Sequence, residues 1–214
     1  METIKVEHCS KAFGDQQVLK DITIDFKPGV YYITGENGSG KSTLLKIMMG
    51  LILPDEGKVT LLGEDTLKLS NACKKKIGYV FASDRTLYYK LTAYENLCMI
   101  GSIYGMKKAV LKKTVPALLE KVGLANDNKF IESYSTGMKK RLMFARTMLY
   151  DPQVVFLDEP FSGLDPAGEA LIASLIEEME NAGKTIVIVT HQTEYMKERW
   201  THLTLSDGKL CIGL

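Results

Sequence analysis

Gly35, Gly40, Lys41 and Ser42 fall in the order Gly-x-x-x-x-Gly-Lys-Ser within Gly35-Glu36-Asn37-Gly38-Ser39-Gly40-Lys41-Ser42-Thr43. Glycines let the backbone curl until several N–H groups converge on one point. A helix start behind them adds unsatisfied donors and the positive end of its dipole. Such a cradle holds the phosphates of a nucleotide. The residues expected to line it are Gly35, Asn37, Gly38, Ser39, Gly40, Lys41, Ser42 and Thr43. Lys41 brings a cation to the β- and γ-phosphates, and the Ser42 hydroxyl suits Mg²⁺. A chance Gly-rich turn would lack the context found here, a strand (Val30 to Thr34) before the loop and a helix (about 41–50) after it.

A second group of polar residues closes an apolar run. Val154-Val155-Phe156-Leu157 leads into Asp158 and Glu159 before Pro160 turns the chain. A carboxylate at the end of a buried strand is costly unless its charge has a partner. Asp158 suits Mg²⁺, directly or through a water, opposite Ser42. Glu159, one residue further, suits a general base for a water in line with the γ-phosphate, although a turn-capping carboxylate is the plainer reading. Asp165, in Ser162-Gly163-Leu164-Asp165-Pro166, reads as an N-cap. His191 follows the run Thr185 to Thr190, at the edge where open α/β sheets bind ligands. It is either structural or a sensor of the γ-phosphate.

Ser135-Thr136-Gly137 precedes a helix with Lys139, Lys140 and Arg141 near its start. Cations there oppose the helix dipole, so the pattern points to a compensating anion or to a solvated basic helix start. One domain needs one phosphate cradle. A second suggests a surface that closes on another subunit's nucleotide.

The elements that must position these residues follow from pattern. Strands are expected at Thr3 to Val6, Asp21 to Phe26, Val30 to Thr34 and Lys58 to Leu62, separated by Gly14-Asp15, Pro28-Gly29 and Pro54-Asp55-Glu56-Gly57. Ile77 to Phe81 is a further strand. Helical periodicity then runs from Ala93 to about Gly123, with Gly101 and Gly105 weakening its first piece and Pro116 suited to a first turn. It resumes from Met138 to Leu149, so a helical insertion occupies about 84–150. Alternation returns with a buried strand at 154–157, a helix from Ala167 to Ala182, a strand at 185–190 and a short helix near Glu194 to Glu198. The tail, Thr201 to Leu205 and Lys209 to Ile212, reads as a hairpin turned by Asp207-Gly208. The expected fold is α/β, a parallel-sheet core of P-loop NTPase type with an antiparallel N-terminal β layer and an inserted helical subdomain, all in one domain over 1–214.

The 214 residues are 45% apolar and 25% charged with a formal net charge of +1, which suits a globular core and gives no basic footprint for nucleic acid. Cys9, Cys73, Cys98 and Cys211 lie far apart without metal-ligand spacing, which suits free thiols in a reducing compartment. There is no signal-peptide pattern and no run of eighteen apolar residues, so a membrane role would come through a separate partner. No further C-terminal regulatory domain is expected after the hairpin.

Taken in order, these segments resemble the ATP-binding subunit of an ABC transporter across essentially the whole chain. The resemblance rests on the loop 35–43, the signature-like Tyr134-Ser135-Thr136-Gly137-Met138-Lys139-Lys140-Arg141, the strand ending Asp158-Glu159, the loop Ser162-Gly163-Leu164-Asp165 and His191. Lys11-Ala12-Phe13-Gly14 resembles the segment whose aromatic residue stacks on adenine, here Phe13. The resemblance implies ATP and Mg²⁺ as ligands and a head-to-tail pair, expected to be two copies of one chain, sandwiching two ATP molecules. It implies Glu159 as catalytic base, His191 and Lys41 at the γ-phosphate, Ser42 and Asp158 at the metal, and Ser135, Gly137 and Asp165 facing the opposite subunit. It further implies a membrane permease, a peripheral place on the cytoplasmic face, and, from Met138-Lys139-Lys140-Arg141, export. A non-transport ATPase of the same kind, acting on ribosomes or DNA, is the alternative. Two departures stand out. Thr136 and Met138 replace residues of the usual Leu-Ser-Gly-Gly-Gln, and Ala82 or Ser83 stands where a coupling glutamine is usual, with Ser83 or Asp84 as candidate substitutes.

Overall fold

The computed structural model describes residues 3–213. In chain order its elements are β1 (Ile4–Phe13), β2 (Gln16–Phe26), β3 (Gly29–Thr34), α1 (Lys41–Met48), β4 (Glu56–Leu61), β5 (Glu64–Asp65), α2 (Asn71–Lys74), β6 (Ile77–Val80) and α3 (Ala93–Ile103). They continue with α4 (Lys108–Lys121), α5 (Thr136–Met148), β7 (Val154–Asp158), α6 (Pro166–Asn181), β8 (Thr185–Val189), β9 (Thr201–Ser206) and β10 (Lys209–Ile212).

Apolar runs at β7 and β8 are buried along their whole length, as parallel strands covered on both faces should be. They sit within a six-stranded sheet ordered β10-β9-β3-β8-β7-β6, whose β3, β8, β7, β6 and β9 run parallel. Alternate side chains feed two cores. Val155, Leu157, Ile186 and Ile188 face a core shared with α3–α6, while Val154, Phe156, Val187 and Val189 face α1 and the second sheet. That second sheet is antiparallel, ordered β2-β1-β4-β5. The fold is therefore the expected α/β one, a mixed sheet core with an antiparallel β layer on one side and a helical subdomain on the other.

Strands β1 and β2 extend well beyond the expected 3–6 and 21–26. Their pairing carries irregularities between Val6 and Ala12, with His8 and Asp21 in the left-handed region at φ 51° and 49°. Bulges of this kind break the period-two alternation that sequence reading relies on.

Within the helical insertion, Thr92 and Glu95 form a reciprocal capping box at the start of α3. Gly101, which weakens α3 by propensity, admits α4 instead: a Cβ there would lie 2.3 Å from Leu111 Cδ2. Two expectations fail. Pro116 lies deep inside α4 rather than in its first turn, removing the N–H that would reach the Lys112 carbonyl. Residues 194–198 form no helix; turns closed by Met196 N–H to Thr193 O (3.0 Å) and Trp200 N–H to Lys197 O (2.9 Å) take its place. Tyr195 stacks on Phe161 and Trp200 on Tyr32. That spacing of inward side chains does not fit one helical face.

Replacing Thr92 by Ala removes the two hydrogen bonds of its hydroxyl, from the Glu95 N–H and to Glu95 Oε2, and leaves only the Thr92 N–H on that carboxylate. The expected cost is about 1 kcal/mol, read as a fall of about 2–4 °C in Tm by thermal unfolding.

Candidate functional site

The loop between β3 and α1 holds Gly35, Gly38 and Gly40 at φ 151°, 85° and 104°, backbone that side-chain-bearing residues rarely adopt. Crowding restricts two of them further. A Cβ on Gly35 would lie 2.2 Å from the Leu205 carbonyl oxygen, and one on Gly40 2.7 Å from Val18 Cγ1. A Cβ on Gly38 would meet nothing within 4 Å. The loop is thus pressed between β2 and β9, which fixes its curl.

Lys41 is buried, and its Nζ donates to the carbonyls of Gly35 and Glu36, each at 2.8 Å. An ammonium carries a third donor for a phosphate oxygen. Ser39 Oγ is buried with no hydrogen-bond partner among the described residues, a second donor available inside the cradle.

Ser42 Oγ donates to Asp158 Oδ1 at 3.1 Å. Burial raises the Asp158 carboxyl pKa; the Ser42 hydrogen bond lowers it in part, and the Glu159 charge raises it again. A cation beside this carboxylate would favour the ionised form. Among the described residues no cluster of three His, Cys, Asp or Glu side chains is arranged to hold a metal alone. Two protein oxygens do fit Mg²⁺, which keeps several waters and takes ligands from substrate phosphates.

Glu159 continues from β7 at φ 49°. Its N–H donates to the Val189 carbonyl at 2.8 Å. Its Oε2 accepts from Thr190 Oγ1 at 3.0 Å and lies 3.0 Å from His191 Nδ1. Both side-chain contacts fall on one oxygen, so Oε1 keeps its acceptor sites for a water. A cavity of about 360 Å³ runs from Phe13 to Glu159, lined between them by Gln16, Val18, Asn37, Gly38 and residues 40–43. Phe13 is half exposed, and Asp55 steadies the strand before it by accepting from Lys11 Nζ (2.6 Å) and Ala12 N–H (2.7 Å).

Ser135, Gly137 and Asp165 do not line this groove. They form a separate patch. Ser135 caps α5 by accepting the Met138 N–H at 3.2 Å, and Asp165 caps α6 by accepting the Gly168 N–H at 2.9 Å. Between the caps, a Cβ on Gly163 would stand 2.8 Å from Thr136 Cγ2, and one on Gly137 3.4 Å from the Gly163 carbonyl.

The cations after that patch do not act as one group. Lys139 pairs with Asp84 at 3.2 Å, Arg141 donates to the Gly123 carbonyl at 2.8 Å, and Lys140 turns inward to the Glu159 carbonyl. The anion that answers Lys139 is therefore intramolecular. Burial raises the Asp84 carboxyl, but hydrogen bonds from Tyr89 and Lys139 outweigh it and hold the carboxyl below its usual range. Ser83 Oγ accepts the Arg85 N–H, and none of Ala82, Ser83 and Asp84 lines the groove. Sequence reading missed Thr190, Val18 and Asp55, which carry no motif. It also missed the separate role of Lys140, although Lys140 shares a helical face with Met143 and Phe144.

The family described as "ABC transporter" matches residues 19–162, more than half of the chain. "ABC transporter ATP-binding protein NatA" of Bacillus subtilis (strain 168) is 32% identical over 197 residues, 89% of this chain and 80% of the relative. "Cell division ATP-binding protein FtsE" of Escherichia coli (strain K12) is 36% identical over 219 aligned residues, 99% and 98% of the two chains. "Nod factor export ATP-binding protein I" of Rhizobium sp. (strain N33) is 37% identical over 86% of this chain, which spans only 61% of that relative's length. Among solved structures, one of a dimeric ATP-binding cassette in a post-hydrolysis state with ADP and Pi superposes with a TM-score of 0.87 at 27% identity, covering 97% of this chain and 96% of that one.

The two loop glycines separate strain from crowding. Gly38→Ala meets only its left-handed φ, an expected cost of about 1–2 kcal/mol in stability. Gly35→Ala also collides with the Leu205 carbonyl and is expected to lower ATP affinity by at least about tenfold, as measured by titration with a fluorescent nucleotide.

Proposed function

Since this chain belongs to the ABC transporter family and is an ATP-hydrolysing enzyme of that kind, we propose that two copies close head to tail on two ATP molecules and drive export through a separate membrane permease. The observation that carries this reading is the split between the groove from Phe13 to Glu159 and the patch of Ser135, Gly137 and Asp165. Each is half of a site.

In this reading the adenine rests on Phe13, and the phosphates lie along residues 35–43 with Lys41 at the γ-phosphate end. Ser42 and Asp158 would hold Mg²⁺, which neutralises phosphate charge when bound. Glu159 takes a proton from the attacking water through Oε1, while Thr190 and His191 hold Oε2. Ser135 and Gly137 of the partner subunit present the start of α5 to the γ-phosphate, where helix N–H groups stabilise the charge of the transferring phosphoryl group. ATP favours the closed pair and hydrolysis releases it.

Export draws on the likeness to the Nod factor export protein and on Met138-Lys139-Lys140-Arg141. A second reading, ATP-driven work other than export, draws on the likeness to FtsE, whose length this chain nearly covers. Among the described residues no helix is long and apolar enough to cross a membrane, so attachment would come through the permease. ATP-dependent substrate efflux from vesicles holding the reconstituted permease separates the two readings. Efflux supports export, and coupled turnover without efflux supports the second.

Glu159→Gln is expected to lower kcat by about 10²- to 10⁴-fold while keeping ATP binding, and to run as a dimer in size-exclusion chromatography with ATP. Lys41→Ala is expected to weaken ATP binding and remain monomeric. A Glu159→Gln protein that stays monomeric with ATP contradicts the sandwich.

A further inference from the structure

Lys140 is a buried cation. It is 4% exposed, on the inward face of α5 with Met143, Phe144 and Thr147. Taking an ammonium out of water is expensive unless something specific receives it. Burial lowers its pKa, and the nearby charges of Asp158, Glu159 and Asp84 act in the opposite direction. Its Nζ donates to the main-chain carbonyl of Glu159 at 3.0 Å, a carbonyl that also receives the Ser162 N–H at 3.3 Å.

Glu159 needs such holding. It carries a side chain at φ 49°, a strained conformation that persists only where surroundings over-determine it. The Val189 carbonyl holds its N–H, Thr190 and His191 hold its carboxylate, and Lys140 reaches across from the helical subdomain to hold its carbonyl. We infer that Lys140 is a positioning residue for ATP hydrolysis, its ammonium holding the Glu159 carbonyl so that the strained residue keeps its carboxylate at the γ-phosphate end of the groove. This rests on the reading of Glu159 as the base. Because α5 begins at the Ser135–Gly137 patch, the same helix that faces the partner's nucleotide also carries the donor that sets Glu159 in its own chain.

The test is steady-state phosphate release by the full chain, with Tm and ATP affinity measured for each variant. Lys140→Met keeps side-chain length but no donor. It is expected to lower kcat about ten- to hundredfold, the scale of a small misplacement, with KM within about threefold of wild type. Lys140→Gln, which keeps an N–H donor without the charge, is expected to recover most of that loss. Wild-type kcat in Lys140→Met overturns the inference, as does a loss carried by KM or a Gln variant as slow as Met. Should Lys140→Met not fold, Lys140→Ala carries the same expectation. Added to Glu159→Gln, Lys140→Met is expected to lower residual turnover no further, since both act through one carboxylate; additive losses overturn the inference. If Glu159→Gln itself turns over normally, the base reading fails. If Glu159→Gln is inactive and Lys140→Met is normal, only the role of Lys140 fails.

Discussion

Val189 pairs with Ile33 on one side and with Asp158 on the other, and the chemistry of the groove hangs on that register. One step further along each strand stand Thr34 and the phosphate loop, Glu159, and Thr190 with His191. Side chains alternate along a strand, so a slip of one residue would turn Asp158 away from Ser42 and point an apolar neighbour at it. What prevents the slip is the burial of both faces of β7 and β8 between the two cores. Apolar packing thus decides where the polar residues act.

Those polar residues are themselves sources of instability. Asp158 is a desolvated carboxylate, Lys140 a desolvated ammonium, Glu159 a left-handed residue, and Gly35 and Gly40 sit where a side chain would collide. Strain and buried charge of this kind cluster where a ligand is to be received. A nucleotide bound to the folded chain and not to the unfolded one offsets the cost by mass action. The hydrogen bonds around Glu159 come from β8, the residues after it and α5, so its geometry reports on the parallel sheet and the helical subdomain together.

The phosphate loop, the apolar run into Asp158-Glu159 and the cap at Asp165 were legible because each is local, a residue pattern that dictates its own backbone; the cap at Ser135 was not, since its helix begins at Thr136, two residues before the expected Met138. The apolar run of β7 was legible as a strand buried on both faces for the same local reason. The bulged middle of β1 was not, because its irregular pairing with β2 erases the alternation. Residues 194–198 were misread because Tyr195 and Trp200 answer to Phe161 and Tyr32, contacts distant in sequence. Lys140 was legible as a charge but not as a buried one. Only the closeness of α5 to the end of β7 separates it from Lys139, which pairs with Asp84, and from Arg141, which reaches Gly123.

The central claim is that Lys41 and the Ser135–Gly137 patch serve the same ATP only across two chains. Complementation tests it most directly. A Lys41→Ala chain and a Gly137→Asp chain, each purified and each inactive in phosphate release, are mixed in equal amounts. A head-to-tail pair then contains one site with an intact Lys41 from one chain and an intact Gly137 from the other, so the mixture recovers ATPase activity. A mixture as inactive as its separate components, with mixed dimers present, contradicts the account.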